Sequence, residues 1–401
     1  MKLALKDVKV IEYGNLISAP FCGKLLADLG ADVIKVEKPG QGDIARDKEP
    51  FLKDIPGKER SGLFLYLNTN KLGVTLNTEK VAGIEIFKKL IKNADILIED
   101  TAPGSMTKLG LDYSELKSIN PSLVMVSITS FGQTGPYKDY KGCDLISWHM
   151  GGVGFVTPRH VGTTEQEPLR VMQMADFITG MTSAVATLTA LHVQRRTGVG
   201  QQVDVSGFEA IARLGYWNTV YWPFEHHSPT RASRSSHFPL HFFKCKDGWI
   251  FIHGAEEHHW RGLVDMMGDP EWAKEELFNN SLSRAEYQES LTPLIEEWAK
   301  NYTKMEIFEA AKIKGVPIAP LNSIAELLGS RQLVERAFFV DVEHPEVGKL
   351  TYPGIPYKSP GVPWSIRRPA PLLGQHNEDI YHNRLGYTEK DLLEMQEAGI
   401  I

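Results

Sequence analysis

The chain has 401 residues, which is more than one hydrophobic core usually serves, so roughly two domains are expected. Its charged residues are numerous but of mixed sign, the formal net charge is −6, and no run of five basic residues occurs. This balance argues against nucleic acid or an anionic membrane surface as the main partner and favours a small molecule.

The cysteines bear on the compartment. Cys22, Cys143 and Cys245 stand far apart and form no CxxC pair, which argues against a disulfide framework and against a thiolate zinc site. The N-terminal residues lack the apolar core of a signal peptide, and no stretch of 18 apolar residues occurs. We therefore predict a cytoplasmic protein that does not interact with a membrane.

A strand, a helix and a second strand follow one another at the start of the chain. Val8–Tyr13 and Asp32–Glu37 have the apolar pattern of buried strands, and Phe21–Leu29 has helical spacing. Such a βαβ unit predicts a parallel sheet covered by helices. The turn between the first strand and the helix offers only Gly14, whereas a dinucleotide fingerprint needs several glycines to approach a pyrophosphate. NAD binding is therefore disfavoured.

The alternation of strands and helices continues through the first half of the chain. Thr75–Leu76, Ile96–Glu99 and Leu123–Ile128 are predicted strands, and Lys80–Asn93 is a predicted amphipathic helix. Together these segments predict an α/β fold with a doubly wound, Rossmann-like large domain, which we place at residues 1–223.

The composition changes after residue 223. A polar, irregular linker precedes Phe242–Ile252, in which two β-prone runs around Lys-Asp-Gly predict a hairpin, and helical patterns follow. We predict a smaller α+β domain at residues 224–325 and a C-terminal segment at 326–401 that returns to the large domain. Histidines are frequent near residue 240, but Pro239 prevents the helical presentation of paired zinc ligands, so no metal site is predicted.

Lysines lie near the turns that follow the predicted strands. Ligands of doubly wound sheets bind at the carboxyl ends of the strands, where these turns meet. Lys38, Lys71 and Lys108 are each compatible with an ordinary solvated surface lysine, but three together would suit a polyphosphate.

Asp176 stands at the entrance of a long predicted helix. Small and apolar residues recur behind it at helical spacing, and Arg195 and Arg196 precede a terminating Gly198. A carboxylate there can accept hydrogen bonds from free backbone N–H groups, and the helix dipole should keep it ionised at neutral pH. Asp176 is therefore either an N-cap or a carboxylate available as a nucleophile.

Several motifs occur in an order that is similar to a known family. They are Ala19-Pro20, Leu29–Glu37, Pro103-Gly104, Leu109-Gly110, Phe131–Pro136, Asp144-Leu145, Ala175-Asp176 and Thr197–Gln201. Over essentially the whole chain, this set resembles the class III coenzyme A transferases of the CaiB/BaiF type. That family includes the carnitine-CoA and formyl-CoA transferases and, more distantly, α-methylacyl-CoA racemases.

The resemblance implies a chemistry for Asp176. Its carboxylate would attack an acyl-CoA to form a mixed anhydride and then an aspartyl-CoA thioester, from which the acceptor acid takes the CoA. The resemblance also implies contacts to CoA, a substrate rather than a bound cofactor, and an interlocked dimer, homodimeric or with a paralogous subunit. The implied contact residues are Ile17, Ser18, Lys38, Thr101, Ser105 and Lys108.

Two other functions are compatible with these residues. A racemase of the same superfamily carries a histidine where this chain has Cys143, a poor proton shuttle at an ordinary thiol pKa. A non-catalytic CoA-binding subunit of a hetero-oligomer could keep Asp176 as a cap.

The sequence does not specify which acids are exchanged. Trp217, Arg231 and Arg234 could bind a bulky acid with a second carboxylate, as a succinyl group would require, or could belong to an interface core.

Overall fold

The chain forms two compact units. A computed structural model describes residues 3–158, 167–169, 171–226, 230–231 and 237–401, without the side chains of residues 216–218. The first unit consists of Met1–Phe155, Pro168–Ser228 and Ala337–Ile401, and the second of Val156–Glu167 and Pro229–Arg336.

A parallel sheet forms the centre of the first unit. Its strands are β1 (Lys9–Tyr13), β2 (Asp32–Glu37), β3 (Leu72–Thr75), β4 (Ile96–Glu99), β5 (Val124–Thr129) and β6 (Gln201–Ser206). Their order in the sheet is β3-β2-β1-β4-β5-β6. The chain thus builds outward from β1 in one direction and then, from β4, in the other, which is the doubly wound topology predicted from the sequence.

Helices cover both faces of this sheet. The helices of this part of the chain are α1 (Ser18–Asp28), α2 (Gly62–Leu67), α3 (Val81–Lys92), α4 (Ser105–Lys108), α5 (Tyr113–Ile119), α6 (Asp144–Met150), α7 (Val153–Val156), α8 (Met174–Thr197), α9 (Gly207–Leu214) and α10 (Tyr216–Glu225). Successive strand residues point to opposite faces, so Val10 packs in the core beneath α1 and α8, while Ile11 packs in the core beneath α3 and α5. Burial on both faces explains why the strands are nearly continuous apolar runs.

The longest described helix, α8, crosses the sheet beside α1. It ends where predicted, because Gly198 adopts a left-handed conformation with φ of 73°. Among the described residues it is the one helix long and apolar enough to span a membrane, but 44% of its most apolar stretch is buried inside this unit. Its buried residues are small, for example Ala175, Gly180 and Ser183, which allows a close approach to α1.

The second unit combines a small antiparallel sheet with helices. Its strands are β7 (Leu240–Cys245), β8 (Gly248–His253) and β9 (Ile318–Pro320), in that order. Its helices are α11 (Glu257–Met266), α12 (Ser281–Glu286), α13 (Gln288–Ala299), α14 (Lys304–Lys314), α15 (Ile324–Leu328) and α16 (Arg331–Glu335). The hairpin of β7 and β8 was predicted from the Lys-Asp-Gly turn. Its inward side chains join those of α11, α13 and α14 in one core.

The C-terminal part of the first unit closes the edge of the large sheet. After the hairpin β10 (Phe339–His344) and β11 (Gly348–Pro353), the chain reaches the exposed side of β3 and continues into a π-helix (Glu378–Arg384) and α17 (Glu389–Glu397). The Asn377 side chain accepts a hydrogen bond from Thr75 N at 2.9 Å, and His376 Nδ1 accepts one from Gly73 N at 3.0 Å. The backbone groups of this edge strand are therefore paired within the unit.

Candidate active site

A cavity of about 190 Å³ opens at the carboxyl ends of β1, β4 and β5. This is the point where the strand order reverses, and ligands of doubly wound sheets bind at such a point. Its lining residues come from the turns after these strands and from α1, α6, α8 and α9. They are Asn15, Leu16, Ile17, Ser18, Asp100, Ile128, Thr129, Ser130, Gly142, Cys143, Ser147, Asp176, Thr179 and Gly207.

Asp176 lies in this cavity on the first turn of α8. The helix begins at Met174, two residues before Asp176, after Gln173 has turned the backbone with a positive φ of 63°. The interpretation of Asp176 as the N-cap is therefore wrong. The Asp144 carboxylate supplies the cap instead, accepting hydrogen bonds from Gln173 N and Asp176 N, each at 3.0 Å.

The environment of Asp176 disfavours its charge. Burial, followed by the nearby charge of Asp144, raises the pKa of Asp176 to about 6, although the Ser18 hydroxyl opposes the shift. The prediction that Asp176 is ionised at neutral pH is consistent with this value, but desolvation and a like charge outweigh the helix dipole, so the pKa lies above its ordinary value rather than below it. With a pKa near 6, most Asp176 side chains are ionised at pH 7, and the carboxylate is more basic than an exposed one.

Ser18 connects the first βα turn to the aspartate. Its hydroxyl donates to the Asp176 carbonyl oxygen at 3.2 Å and lies 3.5 Å from Asp176 Oδ1. The close approach of the helices depends on Gly180, since a Cβ there would meet the Ser18 carbonyl oxygen at 2.7 Å. Phe21 and Phe177 pack edge to face with ring centroids 4.9 Å apart and hold the same contact.

Buried side chains hold the turn that precedes α1. Leu16 takes a positive φ of 60°, and its N–H donates to Asp43 Oδ1 at 2.9 Å. Asn15 N donates to both oxygens of Asp100, at 3.0 and 3.1 Å. Lys35 Nζ donates to the Gly14 carbonyl oxygen at 2.9 Å. This turn reaches its shape with side-chain acceptors where a dinucleotide-binding turn would use glycines.

The structure places the other residues implied to contact CoA around this end of the sheet. Ile17 and Ser18 share the cavity with Asp176. Thr101 lines a second cavity of about 480 Å³, where its hydroxyl donates to Glu99 Oε2 at 2.6 Å. Ser105 and Lys108 begin and end the short helix α4 and line neither of these two cavities.

Two of the predicted lysines differ sharply in environment. The side chain of Lys38, which follows β2, is 43% exposed and pairs with Glu79 at 2.9 Å. Lys71 is fully buried and contacts Glu12 Oε2 at 2.7 Å and the Pro20 carbonyl oxygen at 2.8 Å. This placement contradicts the expectation that Lys71 meets a phosphate, because its ammonium is enclosed by partners from its own unit.

The residues predicted to bind the acid substrate are not among those that line these two cavities. Arg231 is buried and belongs to the second unit. Arg234 and the side chain of Trp217 lie outside the described residues. As for metals, no group of three or more His, Cys, Asp or Glu side chains is arranged to hold an ion within the described ranges.

Sequence reasoning missed two carboxylates that shape the cavity. The sequence predicts Asp144 only as a turn or cap residue and gives Asp100 no role in the site. Asp144 caps a helix 29 residues further along the chain, through Gln173 N. A local pattern carries no signal for such a contact. Asp100 could have been suspected, because it directly follows a buried strand at the predicted switch point.

The comparison with known families is decisive. The sequence model of CoA-transferase family III matches residues 5–377. The chain belongs to this family. It is a class III CoA-transferase, and acyl-CoA thioesters are the substrates of this class.

Relatives along the whole chain support this assignment. A succinyl-CoA–D-citramalate CoA-transferase from Chloroflexus aurantiacus is 32% identical and covers 99% of this chain and 98% of its own length. The beta subunit of a succinyl-CoA–L-malate CoA-transferase from the same organism is 31% identical, covering 100% and 98%. A formyl-CoA:oxalate CoA-transferase from Rhodopseudomonas palustris is also 31% identical, with the same coverage.

Solved structures share the fold of this class III CoA-transferase. A CAIB/BAIF family protein from Brucella suis superposes with a TM-score of 0.86 at 31% identity, covering 96% of this chain and all of that one. The protein Rv3272 from Mycobacterium tuberculosis superposes with a TM-score of 0.79 at 26% identity, covering 94% and 98%. The predicted α/β fold and the family resemblance are thereby confirmed.

Proposed function

We propose that this CoA-transferase moves CoA from succinyl-CoA to a free dicarboxylic acid through a covalent intermediate on Asp176. The observation that carries the proposal is the position of Asp176, a carboxylate of raised basicity in a cavity at the switch point of the sheet. The donor and acceptor are inferred from relatives named for succinyl-CoA with citramalate or malate, and for oxalate, all of them dicarboxylates.

The proposed reaction consists of four carbonyl substitutions. An Asp176 oxygen attacks the thioester carbon, the C–S bond breaks, and CoA leaves as thiolate from a mixed anhydride. The thiolate attacks the Asp176 carbonyl carbon of the anhydride and releases the donor acid, which leaves an aspartyl-CoA thioester. The acceptor carboxylate attacks this thioester to give a second anhydride and thiolate. The thiolate then attacks the acceptor's carbonyl carbon, which restores the Asp176 carboxylate.

Each substitution develops negative charge on a carbonyl oxygen. The Ser18 hydroxyl, 3.5 Å from Asp176 Oδ1, is a donor within reach of that charge. Gly142 lines the same cavity, and its backbone N–H is proposed as a second donor to that charge. Holding the carboxylate and the thioester together in this cavity replaces a bimolecular encounter by an oriented one.

The CoA moiety is proposed to lie along the turns after β1, β2 and β4. Its phosphates would meet the exposed Lys38 and Lys108, whose ammonium groups can pair with phosphate oxygens. Ile17, Thr101 and Ser105 would contact the rest of the nucleotide and its pantetheine arm. Arg231 and Arg234 remain the proposed partners of the second carboxylate, and Trp217 of the acyl chain.

Substitution of Asp176 tests the covalent step. Asp176→Ala and Asp176→Asn should lower CoA exchange between succinyl-CoA and a free acid by about 10³-fold or more, because the nucleophile is lost. Hydroxylamine should trap the wild-type acyl enzyme as a hydroxamate at Asp176, visible by mass spectrometry, and neither variant should give this adduct. Full activity in Asp176→Ala would exclude a covalent role.

A racemase would behave differently in the same assays. It would incorporate deuterium from the solvent at the α-carbon of an acyl-CoA without exchanging CoA. We expect CoA exchange without such incorporation. Cys143→Ser should keep the transferase activity within about threefold, since Cys143 carries no step of the proposed chemistry.

The acceptor is identified by a panel of free acids offered with succinyl-CoA. At equal concentration, the rate of CoA transfer should be higher for malate, citramalate, oxalate and succinate than for acetate, butyrate and benzoate. Equal rates with monocarboxylic acids would remove the dicarboxylate from the proposal and leave the CoA transfer itself intact.

We also propose that the working form is a dimer. Apolar side chains on the exposed side of α8, among them Met181, Val185 and Val193, are 52%, 64% and 42% exposed and offer a surface for a second subunit. The purified chain should elute as a dimer in size-exclusion chromatography with light scattering and should exchange CoA by itself. Activity that appears only with a paralogous chain would show instead a hetero-oligomer, as the name of the beta-subunit relative suggests.

The cytoplasm remains the proposed compartment. Cys22, Cys143 and Cys245 are all free thiols, as expected of a protein kept in a reducing environment.

A further inference from the structure

Asp144 makes an unusual pair of contacts. It is the first residue of α6, yet its carboxylate accepts the backbone N–H groups of Gln173 through Oδ2 and of Asp176 through Oδ1, both at 3.0 Å. A helix start is ordinarily capped by a residue directly before it. Here the cap of α8 comes from a separate helix, and one of the two N–H groups belongs to the nucleophile itself.

We propose that Asp144 is a positioning residue for Asp176, which fixes the backbone from which the nucleophile projects and holds a second negative charge beside it. The inference rests on the proposed covalent role of Asp176. Asp144 itself touches no reacting atom in this proposal and acts only through the first turn of α8.

The second charge favours acylation of Asp176. When the Asp176 oxygen bonds to the acyl carbon and the C–S bond breaks, the negative charge leaves with the CoA thiolate. Asp176 becomes a neutral anhydride, and its repulsion with Asp144 ends. A carboxylate held at raised basicity is also closer to a thiolate in basicity, which makes the displacement of CoA less unfavourable. Burial and Asp144 act in this same direction on the pKa of Asp176.

Other groups around Asp176 do not supply this effect. α1 contributes the Ser18 hydroxyl, which lowers the pKa of Asp176 by hydrogen bonding. The remaining titratable side chains that line the cavity are Asp100, after β4, and Cys143, before α6. Among the causes of the shift in Asp176, Asp144 is the one charged neighbour.

The substitution Asp144→Asn removes the charge of this side chain and keeps its size. The amide oxygen can still accept one backbone N–H, while the charge is gone. We expect the acidic limb of the kcat/KM profile, near pH 6 in the wild type, to move down by roughly one pH unit. We also expect kcat at pH 8 to fall by about tenfold with little change in KM, and Asp144→Ala to lose more because it removes both acceptors.

A control aspartate at the other end of the sheet distinguishes positioning from general stability. Asp95 also accepts a backbone N–H, from Lys9 at 2.8 Å, but lies before β4 rather than after it. Asp95→Asn should leave the acidic limb and kcat unchanged. An acidic limb at the same pH in Asp144→Asn as in the wild type would overturn the inference.

A measurement without turnover separates this inference from the proposed function. The change in Tm caused by Asp176→Asn, followed from pH 4 to pH 7, reports the protonation of Asp176. In the Asp144→Asn background that change in Tm should depend less on pH. An identical pH dependence in both backgrounds would refute the coupling, whatever reaction the enzyme catalyses.

If Asp176→Asn abolishes CoA exchange and Asp144→Asn behaves as the wild type, the proposed function stands and the inference fails. If Asp176→Asn exchanges CoA normally, the proposed function fails, and Asp144 loses its catalytic meaning even where the Tm coupling is present.

Discussion

At the scale of single residues, the cavity is notable for its carboxylates. Asp100 and Asp176 line it, the Asp144 carboxylate accepts the backbone N–H of Asp176, and no salt bridge to Asp100 forms within the described ranges. Burial raises the pKa of Asp100 well above its ordinary value, with Asp43 and Glu99 adding to the shift, and the Asn15 N–H opposes it. A carboxyl that resists ionisation in the folded state weakens folding once the pH forces it to ionise.

Asp100→Asn should therefore stabilise the protein at alkaline pH. The folded state holds the Asp100 proton more tightly than the unfolded chain, so wild-type stability falls as the pH rises above about 4 towards the raised pKa. The amide keeps an acceptor for Asn15 N and cannot ionise. Thermal unfolding should show a Tm advantage of the variant that grows from pH 5 to pH 8, reaching a few degrees. A variant with a lower Tm than the wild type at pH 8 would contradict this account.

Lys71 and Lys38 should differ in how strongly the same substitution affects stability. Lys71→Met leaves the buried Glu12 short of a partner and should reduce the free energy of unfolding by about 3 kcal/mol. Lys38→Met removes an exposed pair with Glu79 and should change that free energy by less than about 0.5 kcal/mol.

Urea unfolding and steady-state kinetics together test this pair. The KM for succinyl-CoA should rise in Lys38→Met, because a phosphate contact is lost, and stay constant in the folded fraction of Lys71→Met. An unchanged KM in Lys38→Met would remove that residue from the CoA site.

At the scale of elements, the sequence predicted what local patterns encode. β2 and β4 begin and end at the predicted residues, and β1, β3 and β5 overlap their predictions. β6 was missed because it is an edge strand whose exposed Gln202 and Asp204 interrupt the apolar pattern. The start of α8 was misjudged because it depends on the left-handed Gln173 and on Asp144, which is distant in sequence.

Gly180 is the element-scale feature most open to test. An alanine usually stabilises a helix by about 1 kcal/mol over glycine, but here its Cβ would meet the Ser18 carbonyl oxygen at 2.7 Å. Gly180→Ala should therefore lower the free energy of unfolding by about 1–3 kcal/mol and reduce kcat, because Ser18 and Asp176 move apart.

The matched substitution Gly361→Ala meets no atom within 4 Å and should be neutral in both assays. The two variants are compared by urea unfolding and by initial rates. A Gly180→Ala variant that is more stable than the wild type would show that α1 and α8 have room to adjust.

At the scale of the whole molecule, the C-terminal segment of the first unit protects the sheet. Asn377 binds Thr75 twice, accepting from its N–H at 2.9 Å and donating to its hydroxyl at 2.8 Å. Asn377→Ala should lower the free energy of unfolding by about 1–3 kcal/mol, since it leaves the β3 backbone unpaired, and should leave KM unchanged. Aggregation on mild heating, measured by light scattering, should begin earlier as the edge opens. Equal scattering curves for variant and wild type would argue that other contacts close this edge.

The buried ion pairs of the first three strands have a further consequence. Glu12 on β1 and Lys35 on β2 are direct partners in the strand register, 2.9 Å apart, and Lys71 enters the same cluster just before β3. A shift of one strand by a single residue would turn Lys35 to the opposite face, where apolar side chains are packed. Lys35 and Glu12 would then both be buried without each other as a counterion. A mis-aligned sheet would thus be far less stable than the native one, even though the pairs add little to native stability. These charges therefore disfavour every register of the strands but the native one. The turn that contacts Asp176 forms only when the strands are paired in that register.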